Sequence, residues 1–89
     1  MYPRIKEAFP LENYILKVIF DDGKTVLYDV KDDVTKIPSY SPLIKTYKLF
    51  EQFQVDSSRT VIYWNDEIDL PSDAVYERGK EIEPNKGET

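Results

Sequence analysis

Two alternating segments joined by a tight turn place the strongest constraint on how this chain folds. From Tyr14 to Phe20 every second residue is apolar, which is typical of a β-strand with one buried face. The turn that follows contains Asp22-Gly23, and Asp-Gly between apolar segments indicates a hairpin because glycine adopts positive φ freely. Thr25–Val30 is predicted as the return strand, and Arg4–Phe9, bracketed by prolines, as a strand upstream. Together these segments predict a three-stranded antiparallel meander.

A second hairpin is predicted in the other half of the chain. Phe53–Asp56 and Thr60–Trp64 are apolar-rich segments on either side of the polar loop Ser57-Ser58-Arg59. After a further polar turn, Ile68–Leu70 is a short extended segment.

Prolines restrict the helices to short ones. Pro38 and Pro42 each lack an N–H and restrict the residue before them, which prevents one long helix across the middle of the chain. The predicted helices are a segment capped by Asp32 or Asp33 that reaches Ile37, the segment Leu43–Leu49, and a segment of one to two turns from Pro71 to Arg78.

The predicted fold class is therefore α+β: a small antiparallel sheet, made of the three-stranded meander plus the second hairpin, with two or three short helices. We expect one globular domain over residues 1–79, because 89 residues leave no room for two. Residues 80–89 contain a single aliphatic side chain, so we expect a disordered acidic tail there. The expected core face consists of Leu16, Val18, Phe20, Val26, Tyr28 and Val30, with help from Leu49, Phe50 and Ile62.

The absence of two residue types removes most familiar active sites. The chain has no Cys and no His. It therefore cannot build a disulfide framework, a thiolate nucleophile, an imidazole base or a Ser-His-Asp triad. We expect no catalytic residues, no cofactor and no metal site, and the carboxylates of Asp21-Asp22-Gly23 and of residues 65–69 fit turns better than metal loops.

The charge and hydropathy of the chain restrict its partners. A formal charge of −5 argues against direct nucleic-acid binding, because phosphate backbones repel an acidic chain. No segment reaches the ~18 consecutive apolar residues of a membrane helix, and the first residues lack the apolar stretch of a signal peptide. We therefore expect a cytoplasmic protein without membrane contact.

Several short motifs in a fixed order resemble one known family. They are Phe20-Asp21-Asp22-Gly23, Tyr28-Asp29-Val30, Leu49-Phe50 with Phe53 and Val55, and Val61–Trp64 leading into Ile68–Tyr76. Over residues 5–79 the chain resembles the bacterial domain of unknown function 2442. The resemblance implies a small α+β fold without an established activity, and an accessory or antitoxin-like partner of another small protein. A molybdopterin-biosynthesis role, attached to some relatives, needs a Gly-rich phosphate loop, and the three glycines here are isolated.

The aromatic content suggests where a partner could bind. Seven Tyr, four Phe and one Trp either fill the core or lie partly on an interface, where rings of Tyr and Trp are common anchors. On the second face of the predicted strand Tyr14–Phe20, two isoleucines need a binding partner if no helix covers them. The candidate interface residues are Ile15, Ile19, Tyr40, Tyr47, Tyr63 and Trp64.

Three functional hypotheses follow from the sequence. The leading one is a non-enzymatic protein–protein interaction module with a protein partner or with self-association. The alternative is a small-molecule-binding or carboxylate-based catalytic domain, which predicts a closed pocket with converging Asp, Glu and Tyr side chains. The third is a regulatory domain that dimerises through a sheet edge or face.

Overall fold

The computed structural model describes residues 3–82 of the chain. Within these residues the backbone forms seven β-strands, three α-helices and three short 3-10 turns. The strands are β1 (Ile5–Leu11), β2 (Ile15–Phe20), β3 (Thr25–Asp29), β4 (Gln54–Val55), β5 (Val61–Asn65), β6 (Ile68–Pro71) and β7 (Lys80–Ile82). The helices are α1 (Val30–Lys36), α2 (Pro42–Lys45) and α3 (Ser72–Arg78), and the 3-10 turns are Glu12–Tyr14, Pro38–Tyr40 and Leu49–Gln52.

The strands form two antiparallel sheets. The first has the order β1-β2-β3-β7 and the second the order β4-β5-β6. The meander, the second hairpin and the α+β class are confirmed. Each of these two predicted elements gains one strand. Strand β7 pairs with β3 of the meander, and β6 pairs with β5 of the second hairpin.

The fourth strand of the first sheet corrects the predicted start of the tail. Disorder is predicted from Lys80 onward, but Lys80 lies opposite Leu27 and Ile82 lies opposite Thr25 in a regular antiparallel pairing. Three residues with one isoleucine carry little local signal for a strand, so this conformation depends on the partner strand β3. The domain therefore extends at least to Ile82, and residues 83–89 of the predicted tail lie outside the described residues.

Two helix boundaries differ from the prediction by more than one residue. Helix α1 begins at Val30 because Asp29 is its N-cap, with the carboxylate Oδ1 accepting the N–H of Lys31 at 3.0 Å. Helix α2 ends at Lys45, since Thr46 adopts extended backbone angles and Lys48 a φ of 61°. The apolar side chains of this segment still reach the core, from α2 and from the 3-10 turn that follows.

One hydrophobic core receives side chains from both sheets and all three helices. The six predicted core residues of the meander are buried, as are two of the three predicted helpers, and Leu49 is half-buried. The further buried apolar residues are Ile5, Tyr40, Leu43, Trp64, Ile68, Leu70 and Val75.

Strand β1 is an edge of the first sheet as far as the described strands extend. It contains Pro10, which lies opposite Leu16 of β2. Proline has no N–H to donate to a neighbouring strand, and edge strands tolerate it for that reason. The exposed charges of Lys6 and Glu7 lie on the same strand.

Candidate functional site

The first sheet has one face in the core and one face that the core does not cover. Leu16 and Val18 of β2 are buried opposite Tyr28 and Val26 of β3. Because side chains alternate along a strand, the residues between them lie on the other side of the sheet, which we call the open face. The open face consists of Glu7, Phe9 and Leu11 in β1, Ile15, Lys17 and Ile19 in β2, Thr25, Leu27 and Asp29 in β3, and Lys80 and Ile82 in β7.

The open face is predominantly apolar and partly accessible to solvent. Phe9 is 41% exposed and Leu11 is 42% exposed, while Ile15, Ile19 and Leu27 are half-buried. Within residues 3–82, none of these five side chains belongs to the core cluster or packs against it. Apolar surface left in water is unfavourable, and a contiguous patch of it marks a place where another surface can bind.

The charges on the open face balance one another. Glu7 and Asp29 are acidic, Lys17 and Lys80 are basic, and none of the four forms a salt bridge within the described part of the chain. The face therefore carries no net charge, although the chain as a whole carries −5. Within residues 3–82, the excess negative charge lies on other surfaces.

A groove adjoins the open face at Leu11. It lies between residues 11–14 and residues 43–51, and its volume is about 680 Å³. Its lining includes Ile44 and Tyr47, and the Tyr47 side chain is 85% exposed. Because Leu11 belongs to both features, the groove and the open face form one continuous surface.

Both walls of the groove contain non-glycine residues with positive φ. These are Asn13 at 63°, Tyr14 at 62° and Lys48 at 61°. This conformation costs on the order of 1 kcal/mol for a residue with a Cβ atom, so surrounding packing must hold it. The Tyr14 ring packs edge-on against Phe50, with the ring centroids 5.4 Å apart. The core thus fixes the wall of the groove from beneath.

A second, polar pocket of about 510 Å³ lies beside α1. Its most buried carboxylate is that of Asp33, which is 8% exposed and accepts a hydrogen bond from the Tyr28 hydroxyl at 2.5 Å. Burial raises the pKa of Tyr28 well above its ordinary value, the bond to Asp33 raises it further, and the guanidinium of Arg78 lowers it in part. The buried carboxylate of Asp33 is thus paired with the protonated phenol of Tyr28. The hypothesis that the protein binds a small molecule in such a pocket stays a prediction.

The polar side chains of the two predicted turns are engaged in hydrogen bonds, and Asp22 also accepts one from the Tyr76 hydroxyl at 2.5 Å. Asp22 Oδ1 accepts the N–H of Lys24 at 2.9 Å, and Asn65 Oδ1 accepts the N–H groups of Glu67 and Ile68. Across residues 3–82 there is no group of three or more Asp and Glu side chains that could hold a metal ion. In the same part of the chain, no helix has both the length and the apolar character needed to cross a membrane.

A comparison with protein families places these features in a known group. Residues 5–81 match the model of a family described as protein of unknown function, DUF2442. The chain belongs to the DUF2442 family. The match runs from the first residue of β1 into β7, so both sheets and nearly the whole open face are part of the DUF2442 domain. Searches of the curated proteins and of the solved structures found no match for the chain.

Three of the predicted interface residues lie on the accessible surface of the DUF2442 domain described above. Ile15 and Ile19 lie on the open face, where no described helix covers them. Tyr47 lines the groove. The structure thus brings together side chains from β2 and from the segment after α2 that are far apart in the sequence, with Leu11 between them.

The other three predicted interface residues lie elsewhere. Tyr40 and Trp64 are buried in the core of the DUF2442 domain, at 7% and 9% exposure. The Tyr40 hydroxyl donates to the carbonyl of Asp69, and the Trp64 indole N–H donates to the carbonyl of Phe50 at 2.9 Å. Both polar tips are therefore satisfied internally, and we assign these rings to the core instead of an interface. Tyr63 is half-buried on the second sheet.

Sequence reasoning missed Phe9, Leu11 and Leu27 as members of the accessible surface. The upstream strand is predicted to end at Phe9, but β1 extends to Leu11 and pairs it with Ile15. The alternation of Glu7, Phe9 and Leu11 is a period of two that could have placed these three residues on one face. Leu27 stands between two core residues of β3, so the same alternation assigns it to the open face.

Proposed function

We propose that this DUF2442 protein is a non-enzymatic protein-interaction module that binds through its open face and the adjoining groove. The observation that supports this most directly is an apolar sheet face whose opposite side already forms the core. Antiparallel sheets with one solvated face normally carry polar residues there. On this face Phe9, Leu11, Ile15, Ile19 and Leu27 stand where polar residues are expected.

The energetics are consistent with a binding role for this surface. Removing the remaining exposed area of a Phe, Leu or Ile side chain from water contributes on the order of 1 kcal/mol per residue. Tyr47 adds a rigid ring with a polar tip, the kind of residue that often dominates an interface. Five apolar side chains together with this tyrosine contribute a favourable free energy comparable with the lower part of the about 4–15 kcal/mol that association costs in translational and rotational freedom.

The chemistry of the chain supports recognition more than catalysis. The side chains that most often act as nucleophiles or bases near neutral pH, Cys and His, are missing from the sequence. The most buried carboxylate, that of Asp33, is held by Tyr28. An accessory or antitoxin-like role remains a more specific version of the same proposal, and it requires a protein partner.

Site-specific photo-crosslinking in the native host tests the proposal. Phe9 is replaced by benzoylphenylalanine, a larger aromatic residue, and Tyr63 on the second sheet is replaced in the same way as a control. We expect protein adducts from position 9 and not from position 63. Adding Ile19→Lys should remove the adducts, whereas Ile37→Lys, an equal change at an exposed residue off the open face, should leave them. Equal adducts from both positions, or none from position 9, contradict the proposal.

A further inference from the structure

We propose that the partner of the open face is a second copy of this chain, bound face to face about a two-fold axis. This inference rests on the proposed function and makes it specific, because it names the occupant of the surface. It is carried by the distribution of charge and by the dimensions of the sheet.

The charge distribution favours a like partner over a basic one. Glu7, Asp29, Lys17 and Lys80 give the open face two charges of each sign, while the whole chain has an excess of five acidic side chains. A basic partner is attracted to a surface with net negative charge, and the open face has none. A second open face, by contrast, offers each acidic residue a lysine and each lysine an acidic residue. The surface therefore carries equal numbers of both signs, which two copies related by a two-fold axis can pair.

The dimensions of the sheet indicate a weak dimer. The four strands together contain 21 residues, which at ~3.3 Å per residue and ~4.8 Å between strands present roughly 330 Å² of flat area. A standard stable interface buries about 800 Å² per partner, so the sheet alone presents less than half of that area. The adjoining groove, with Ile44 and Tyr47, extends the surface beyond the sheet. Two such sheets can pack ~10 Å apart with their strands rotated by about 30°, as in β-sandwiches.

Salt dependence separates this dimer from a charge-driven complex. Two copies bring a charge of −5 each close together, so the molecules repel one another outside the neutral interface. Raising the salt from about 0.1 M to about 1 M shortens the screening length from ~10 Å to ~3 Å and weakens that repulsion. Exposed lysine–carboxylate pairs across the interface contribute only about 0–1 kcal/mol each, so the relief of this repulsion should dominate. We therefore expect the dimer to become tighter at high salt, whereas a complex with a basic protein becomes weaker.

Sedimentation equilibrium of the purified full chain at both salt concentrations tests the inference. We expect a reversible monomer–dimer equilibrium that tightens with salt, and an increase in the dissociation constant of about tenfold or more for Ile19→Lys. Ile37→Lys is the matched control and should dimerise at least as well as the parent chain. A strict monomer at millimolar concentration, a dimer that Ile19→Lys leaves intact, or a dimer that salt weakens overturns the inference.

A second pair of variants keeps the test valid if Ile19→Lys does not fold. Lys17→Glu gives the open face a net charge of −2, and Lys36→Glu makes the same change on α1, away from that face. Both changes raise the net negative charge of each copy equally, so we expect Lys17→Glu to weaken the dimer clearly more than Lys36→Glu, with circular dichroism confirming that both variants fold. Equal dimerisation by the two variants contradicts the inference.

The crosslinking experiment separates failure of the inference from failure of the proposed function. Adducts from position 9 with a different protein, combined with a monomeric purified chain, leave the interaction module in place and reject the second copy. The absence of any adduct from position 9 rejects both. An adduct of twice the mass of the chain supports both.

Discussion

Arg59 and Asp21 join the two sheets through a two-pronged ion pair. The Nη1 atom of Arg59 lies 2.9 Å from Oδ1 of Asp21, and Nη2 lies 2.9 Å from Oδ2. Asp21 begins the turn between β2 and β3, and Arg59 belongs to the loop between β4 and β5. The same loop holds the start of β1, because the Ile5 N–H donates to the Arg59 carbonyl at 2.8 Å. One loop thus fixes the first sheet at two points.

Substitutions at Arg59 should separate the stability that the ion pair contributes from the free energy that the strained backbone costs. Arg59 has a φ of 63°, which costs a residue with a Cβ atom ~1 kcal/mol relative to glycine. Arg59→Ala loses the partly exposed ion pair and keeps the strain, so we expect a loss of about 0.5–1 kcal/mol in the free energy of unfolding. Arg59→Gly loses the same pair without the strain and should be less destabilised. Urea denaturation measures both, and an Arg59→Gly protein that is less stable than Arg59→Ala contradicts this account.

Gly79 cannot accept a side chain in this fold. A Cβ atom there would lie 2.7 Å from the carbonyl oxygen of Val75 and 2.8 Å from the side chain of Val26. Both neighbours belong to packed elements, so we expect Gly79→Ala to lower the free energy of unfolding by about 1–3 kcal/mol. Gly23→Asn is the control, because Gly23 has open space around it and Asn tolerates its φ of 94° better than most residues. Thermal unfolding of the two variants checks the contrast, and equal melting temperatures count against it.

Stability should fall in alkaline solution because of Tyr28. Its pKa is raised by burial and by the hydrogen bond to Asp33 above the ordinary value of 10.0. A raised pKa means that the folded state holds the proton more tightly than the unfolded state. The stabilisation of the folded state by this tightly held proton is therefore complete below pH 10, and it is lost as the pH rises through the pKa that Tyr28 has in the folded state.

The variant Tyr28→Phe isolates this effect. It removes the ionisable hydroxyl, so the dependence of unfolding free energy on pH above pH 10 should become shallower. It also leaves the buried Asp33 carboxylate without this donor, which should cost about 1–3 kcal/mol at neutral pH. Denaturation measured from neutral to alkaline pH reports both effects. A variant with the slope of the parent chain would show that another group governs the alkaline loss.

Asp56 should make the second hairpin sensitive to acid. The hydroxyl of Ser58 and the backbone N–H groups of Thr60 and Val61 donate to its carboxylate and hold its pKa below the ordinary value of 3.8. A lowered pKa contributes stability above the unfolded pKa, and the contribution is lost as the pH falls through the folded pKa. We expect Asp56→Asn to flatten the fall in stability below pH 3.8, with Asp66→Asn as an exposed control. Acid titration followed by circular dichroism measures this, and an unchanged acid slope refutes it.

The alternation of β2 predicted both faces of that strand and two of the five accessible apolar residues of the open face. Leu16 and Val18 alternate with Ile15 and Ile19, so one pattern identified both the core face and the open face. A period of two is a local property that depends on the strand itself, which is why it can be recognised without knowledge of the partner strands.

The remaining features depend on contacts between distant parts of the chain. Tyr40 and Trp64 can be buried because their polar tips donate hydrogen bonds to the carbonyl groups of Asp69 and Phe50. No local sequence pattern specifies those partners. Lys80–Ile82 forms a strand because it pairs with β3, which is distant in the sequence. Such tertiary contacts override weak local preferences, so propensity and spacing alone did not predict them.

Pro10 has a consequence for how copies of this protein can assemble. A further strand that approached β1 sideways would find a pyrrolidine ring at this position and no amide hydrogen, and the charges of Lys6 and Glu7 beside it. Lateral addition of strands is the route by which sheets grow into fibres. The β1 edge is thus protected against lateral addition of strands, whereas the open face of the same sheet stays accessible, so the fold disfavours open-ended growth at this edge.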